Sequence, residues 1–319
     1  MILVAPALLS AHDLRVHFPS TEGLIRAVDG VTLDIQAGET LALVGESGCG
    51  KSTVARTLLG LEHPTSGTIL FDGKPMQPLG TPQRNALCRD LQMIFQDPDA
   101  SLNPRLTLGA SIGEPVLLHE KLRSSERERR VCELMNQVGL DPSMRNRYPH
   151  ELSGGQRQRV CIARALAVRP RLIVCDEAVS ALDVSIQAQI LNLLKDLQKE
   201  FGLTYLFITH DLGVVRYMAD RIFVMYLGLI VESGSASDVL DRPRHPYTES
   251  LIAAIPSTQA GLRQRARPLV GDVPSPTRPP PGCRFHTRCP QVMARCSTDI
   301  PGLFGEPHSS RCFLNLEAK

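Results

Sequence analysis

The sequence predicts an α/β fold, a largely parallel sheet covered by helices on both faces, and three observations carry the prediction. The apolar run Leu41–Val44 leads directly into Gly45-Glu46-Ser47-Gly48-Cys49-Gly50-Lys51-Ser52, which fits G-x-x-x-x-G-K-[ST], and a helical stretch follows from Thr53 to Leu61. A second apolar run, Leu172-Ile173-Val174-Cys175, ends in the acid pair Asp176-Glu177. Strand and helix patterns then alternate through Leu172–Cys175, Ile186–Phe201, Tyr205–Thr209, Leu212–Ala219 and Ile222–Tyr226.

Taken in order, the chain opens with Met1–Leu9, apolar but short and without the basic region of a signal peptide. Short strands are expected from about residue 11 to 95, two of them around Thr32 and Ile69. In the phosphate loop, glycines let the backbone wrap closely around a phosphate chain, and the amides of the loop and of the helix opening at Thr53 face the anion. Lys51 reaches for β and γ phosphates, and the Ser52 hydroxyl is placed to hold Mg2+. An ordinary glycine turn before a helix is the plain alternative; the strand in front of it argues against that.

Residues from about 97 to 168 read as mainly helical, with Glu126-Arg127-Glu128-Arg129-Arg130 starting a solvated face that runs through Leu134 and Val138. Asp97–Arg105, rich in proline and turn formers, reads as an irregular surface loop. At Leu152-Ser153-Gly154-Gly155-Gln156 the serine can cap a helix running to Ala167, and two glycines bare its N-terminal amides. By itself this could be a plain Ser-Gly-Gly turn. Asp176, at a strand end, stands where a Walker B acid binds Mg2+, and Glu177 could polarise an attacking water.

In this order the motifs resemble the nucleotide-binding subunit of ATP-binding-cassette (ABC) transporters, whose signature is LSGGQ. The resemblance implies a P-loop ABC ATPase cassette with a mixed sheet, a helical subdomain at about 97–168 and a small Cys-rich C-terminal extension. It implies domains at 1–240 and 241–319. It also implies roles residue by residue. Gln96, after Met93-Ile94-Phe95, resembles the Q-loop glutamine that contacts Mg2+ or water and signals to the membrane subunit. Ser180-Ala181-Leu182-Asp183 resembles the D-loop that crosses the dimer interface. His210, after Tyr205–Thr209, resembles the switch histidine, and Phe18 the aromatic that stacks on adenine, where the family more often has Tyr. Ser153, Gly154, Gly155 and Gln156 are expected to face the γ-phosphate held by an opposing subunit.

Composition excludes other classes. A net charge of +2 does not suggest a nucleic-acid binder, and 4% aromatic residues with no Trp leaves little for base stacking. No stretch approaches the ~18 apolar residues of a membrane span. The chain is expected at the cytoplasmic face of the inner membrane, peripheral, with the membrane path on other chains.

The remainder narrows the subfamily. Phe95-Gln96-Asp97-Pro98 with Ser101-Leu102-Asn103-Pro104-Arg105, and the tail Pro280-Pro281-Gly282-Cys283-Arg284-Phe285-His286-Thr287-Arg288-Cys289-Pro290, resemble dipeptide/oligopeptide importers, in wording closer to the "F" than the "D" type. Four of nine cysteines, Cys283, Cys289, Cys296 and Cys312, fall in this tail, spaced C-x5-C, C-x6-C and C-x15-C. Disulfides do not suit a reducing cytosol. Zinc sites favour tighter C-x2–4-C pairs, whereas cubane clusters accept varied spacing. Some members of the resembling family hold a [4Fe–4S] cluster here; zinc and bare thiols stay open.

The function implied is ATP hydrolysis powering import of di- or oligopeptides. The partners implied are a second ABC ATPase subunit, identical or homologous, two transmembrane permease subunits and an extracytoplasmic peptide-binding protein. A soluble ABC ATPase acting on ribosomes, DNA or iron–sulfur assembly is the alternative; importers of nickel, glutathione or antimicrobial peptides are close relatives.

Overall fold

The computed structural model describes residues 6–21, 23–76, 80–120, 122–254 and 271–316; most of the Met1–Leu9 run lies outside them. Two compact units result, Met1–Gln77 with Phe207–Lys319, and Pro78–Leu206. In chain order the first unit supplies β1 (Leu9–Ser20), β2 (Gly23–Ile35), β3 (Thr40–Val44), α1 (Lys51–Leu58), β4 (Ser66–Phe71) and β5 (Lys74–Pro75). The second supplies α2 (Thr81–Asp90), β6 (Leu91–Ile94), α3 (Pro98–Ser101), α4 (Leu108–His119), α5 (Ser124–Gln137), α6 (Gly154–Leu166), β7 (Leu172–Asp176) and α7 (Val184–Phe201). The boundary back to the first unit falls within β8 (Thr204–Thr209). Then come α8 (Leu212–Met218), β9 (Arg221–Tyr226), β10 (Leu229–Ser235), α9 (Ala236–Asp241), α10 (Pro246–Ala253) and β11 (Ser309–Ser310).

Within the first unit, β2-β1-β4-β5 form an antiparallel sheet, Leu9 pairing with Ile35 and Ser20 with Gly23. A mixed sheet runs β11-β10-β9-β3, with β3 parallel to β9 from Leu41–Arg221 to Val44–Val224. Every residue of β3 is buried, the pattern of a strand covered on both faces. The β9–β10 hairpin was not legible in the sequence. Its turn, Leu227-Gly228, has φ of 43° and 80°, a two-residue turn with both centres left-handed, and Leu is not a residue that announces one. A core of Val44, Val224, Tyr226 and Tyr247 includes Phe285, so the cysteine-bearing tail packs into this unit's interior.

In the second unit β6 runs parallel to β7, Leu91 opposite Leu172 and Ile94 opposite Cys175. The predicted charged face opens α5: Glu126, Glu128 and Arg129 are exposed, while Leu134 and Val138 are buried. On α7, Ile190, Leu191, Leu194 and Leu197 form the buried stripe at helical spacing, and Gly202 closes the helix at φ 64°. Among the described residues no helix is long and apolar enough to cross a membrane.

Candidate nucleotide site

The first unit builds the phosphate loop at the C-terminal end of β3. Gly45, Gly48 and Gly50 have φ of 156°, 78° and 107°. A Cβ on Gly45 would lie 2.2 Å from the Met225 carbonyl oxygen, and one on Gly50 2.1 Å from that of Ala27. Glycine is therefore required twice, by conformation and by close approach of backbone. α1 starts at Lys51, earlier than the sequence suggested, and Gly50 as its N-cap offers no side chain. The helix thus opens without a capping side chain, an arrangement suited to an anion at its N-terminus. Ser47 and Ser52 are exposed and Thr53 is half-buried.

Lys51 is buried, and its Nζ donates to the carbonyl oxygens of Gly45 at 2.7 Å and Glu46 at 2.9 Å. The Cys49 thiol is pushed up by burial, which keeps it protonated and unreactive despite the nearby ammonium. Phe18 is half-buried on β1 opposite Ile25. His210 is exposed immediately after β8. Its turn is braced on the far side, where Asp211 accepts from the Gly213 and Val214 amides at 2.7 and 3.3 Å and caps α8.

The second unit brings together Gln96 and Glu177: Gln96 Nε2 donates to Glu177 Oε2 at 3.1 Å. Gln96 leaves the end of β6, and Asp176, half-buried, ends β7. Glu177 has φ 48°, a left-handed conformation that costs a non-glycine residue on the order of 1–3 kcal/mol and commonly marks functional positions. Ser180 holds it there, donating its amide and hydroxyl to the Glu177 carbonyl at 3.0 and 2.9 Å. Asp183 is exposed at the start of α7, where its side chain makes no capping bond.

Ser153 caps α6 as its type and position predicted. Its Oγ accepts from the Gln156 amide at 3.3 Å while Gln156 Oε1 accepts from the Ser153 amide at 3.0 Å. Gly154 is exposed; a Cβ on Gly155 would meet Ile186 Cγ2 at 2.6 Å, so glycine there lets α6 approach α7. Buried Gln158 donates to the Ala178 carbonyl at 2.7 Å, which ties the signature helix to the segment following Glu177. Arg157 and Arg164 on α6 bind Asp99 at 2.8 Å and the Ser101 carbonyl at 2.6 Å, fixing the loop after Gln96.

In the tail, Cys283, Cys289, Cys296 and Cys312 line one small enclosed cavity with His245, Phe285 and Met293. Burial pushes the thiols of Cys283, Cys289 and Cys312 upward. Among the described residues no three His, Cys, Asp or Glu side chains converge as a single metal ion requires. The four thiols therefore share one cavity without converging on a common point. Sequence reasoning missed Arg284, Arg288 and Tyr247, which reach back within the first unit to Asp29 and Glu46. Nothing in a linear pattern pairs residues some two hundred positions apart.

A glycine-lined phosphate loop with its lysine, a strand ending in an acid pair and a capped glycine-rich helix define a P-loop ATPase. Residues 28–180 match the family model "ABC transporter", and residues 231–296 match "Oligopeptide/dipeptide transporter, C-terminal region". The chain is 50% identical over 304 residues to the oligopeptide transport ATP-binding protein AppF of Bacillus subtilis, covering 92% of each. It is 49% identical over 318 residues to OppF of Escherichia coli, covering 96% of this chain and 95% of that one. The cassette MJ0796, solved as a dimer in a post-hydrolysis state with ADP and Pi, superposes with a TM-score of 0.66 at 32% identity, over 72% of this chain and 98% of that one. The chain belongs to the ABC transporter ATP-binding family, and the cassette is of the ATP-hydrolysing kind.

Proposed function

We propose that the chain is the ATP-hydrolysing subunit of an importer of di- or oligopeptides. The observation that carries this reading is the union, in one chain, of the cassette motifs with a C-terminal region of the oligopeptide/dipeptide type. Relatives named for oligopeptide and di/tripeptide transport align along more than nine-tenths of its length and favour peptides over nickel or glutathione as cargo.

In this reading the amides of Gly45–Ser52 and Thr53, with Lys51, hold the β and γ phosphates, and Phe18 stacks on the base. Ser52, Gln96 and Asp176 would hold Mg2+, which neutralises phosphate charge when bound. Glu177, steadied by Gln96, takes the proton of the attacking water, which it positions together with His210 for in-line attack. Ser153, Gly154, Gly155 and Gln156 serve the nucleotide of an opposing subunit, with Asp183 at that interface. Two such subunits close together and drive two permease subunits at the cytoplasmic face of the membrane, fed by an extracytoplasmic peptide-binding protein. Cys283, Cys289, Cys296 and Cys312 would hold a [4Fe–4S] cluster. The shared cavity supports that reading, and the cluster would crosslink a tail that has few apolar residues of its own.

The reading is tested by reconstituting the chain in vesicles with the permease and binding-protein chains of a peptide importer. ATP turnover should rise when peptide-loaded binding protein is added. Stimulation by nickel or glutathione but not by any peptide would reassign the cargo.

A further inference from the structure

The phosphate loop is held from behind by the C-terminal extension, through two arginines that lie between the tail's first two cysteines in sequence. Arg288 forms a fork on the Glu46 carboxylate, Nη1 to Oε2 at 2.7 Å and Nη2 to Oε1 at 3.1 Å. Glu46 is the second residue of the phosphate loop. The Arg288 side chain is 5% exposed and its guanidinium lies over the Tyr226 ring, 5.9 Å from the centroid, so it is packed as well as paired. The bond to Glu46 holds it firmly in the charged state. Tyr247, tilted against the rings of Tyr226 and Phe285, takes the Glu46 amide on its hydroxyl at 2.8 Å. The Glu46 carbonyl then accepts from Lys51 at 2.9 Å. Every polar group of Glu46 is therefore committed, and its peptide cannot turn without breaking one of these bonds.

A second brace reaches the loop at its fifth residue. Arg284 donates to the Leu227 carbonyl and to Asp29 Oδ2, and Asp29 Oδ1 pairs with His17 Nε2 at 2.9 Å. Burial alone would raise the Asp29 carboxyl; Arg284 and His17 hold it below the usual range. The next residue of that turn, Gly228, donates its amide to the Cys49 carbonyl at 3.0 Å. Arg284 so fixes the turn that fixes Cys49, and Arg288 fixes Glu46 directly.

We propose that Arg288, seconded by Arg284, is a positioning residue for ATP binding: the extension holds the phosphate loop in its cradling form from a place that never touches nucleotide. This rests on the loop being the phosphate site proposed above. A loop pinned beforehand spares the nucleotide the cost of ordering it, so the arginine acts on affinity through Glu46.

The test measures ATP dissociation constants, by titration of the full-length chain at fixed salt and Mg2+, beside unfolding midpoints. Arg288→Met should weaken ATP binding about ten- to hundredfold, the scale of a small misplacement of binding groups. Arg288→Lys, which keeps charge but loses the fork, should restore part of it. Glu46→Gln with Arg288→Met removes a buried charge pair whole, so the midpoint should recover relative to Arg288→Met while the affinity should not. That split separates positioning from mere stability. Wild-type affinity in Arg288→Met, or affinity recovering in step with the midpoint, would overturn the proposal. If Arg288→Met does not fold, Glu46→Gln alone decides the matter, since it cuts the same fork at the loop, and wild-type affinity there overturns the proposal equally. Lys51→Ala is the separating control: if it also binds ATP normally, the phosphate-site assignment fails rather than the role of the arginine.

Discussion

Glu177 concentrates the chemistry at the scale of single residues. Its left-handed backbone and its bond from Gln96 hold a carboxylate that Glu177→Gln would keep in shape but deprive of basicity. That variant should bind ATP normally and lose turnover about 10²- to 10⁴-fold in the assembled transporter, the contribution of a general base. Near-normal turnover would remove Glu177 from that role. His245 gives a second prediction. It is buried, its Nδ1 accepts the Tyr247 amide at 3.1 Å, and burial lowers its pKa to about 3. The folded state keeps it neutral while the unfolded chain protonates it below pH ~6.5. Its contribution is therefore complete above that pH and is lost as pH falls toward 3, at up to about 1.4 kcal/mol per pH unit. Urea midpoints between pH 7 and pH 4 should fall less steeply for His245→Asn, which can still cap α10, than for the native chain; equal slopes would contradict the assignment.

Among elements, those whose function is local were legible. Leu41–Val44 into the phosphate loop, Ser153 at the head of α6 and Leu172–Cys175 into Asp176 all lay within a residue or two of expectation, because strand, cap and loop chemistry are written in adjacent residues. The β9–β10 hairpin was hidden by a Leu-Gly turn whose geometry only pairing enforces. The arginine braces on Glu46 and Leu227 were hidden by sequence distance. Gly155 carried a packing requirement against Ile186 that no motif states. α6 also carries a prediction. Ser153→Arg removes the cap, at about 1 kcal/mol, and sets a bulky cation before the exposed N-terminus of the helix. ATP binding to the isolated chain should survive, since Lys51 belongs to the other unit, while ATP-driven dimerisation of a slow-hydrolysing background should be lost. Dimers of native stability in the Arg variant, seen by size exclusion with light scattering, would contradict the interface role.

For the whole molecule, the tail and the phosphate loop belong to one compact unit: Phe285 stands in its core and Cys283 and Cys289 flank the arginines that brace the loop. Anaerobically purified protein should be brown and carry about four irons per chain, and Ser at Cys283, Cys289, Cys296 or Cys312 should lower that content while Cys88→Ser, on an exposed position elsewhere, should not. Iron-free protein with stoichiometric zinc, or without metal, would refute the cluster. The central claim is that ATP hydrolysis in this chain moves peptide across a membrane. Its most direct test is uptake of a labelled oligopeptide into vesicles holding the full transporter, with ATP on the side of this chain. The native chain should accumulate peptide in step with ATP consumed, and Glu177→Gln should bind ATP yet stop accumulation; uptake that continues unchanged with Glu177→Gln would contradict the account.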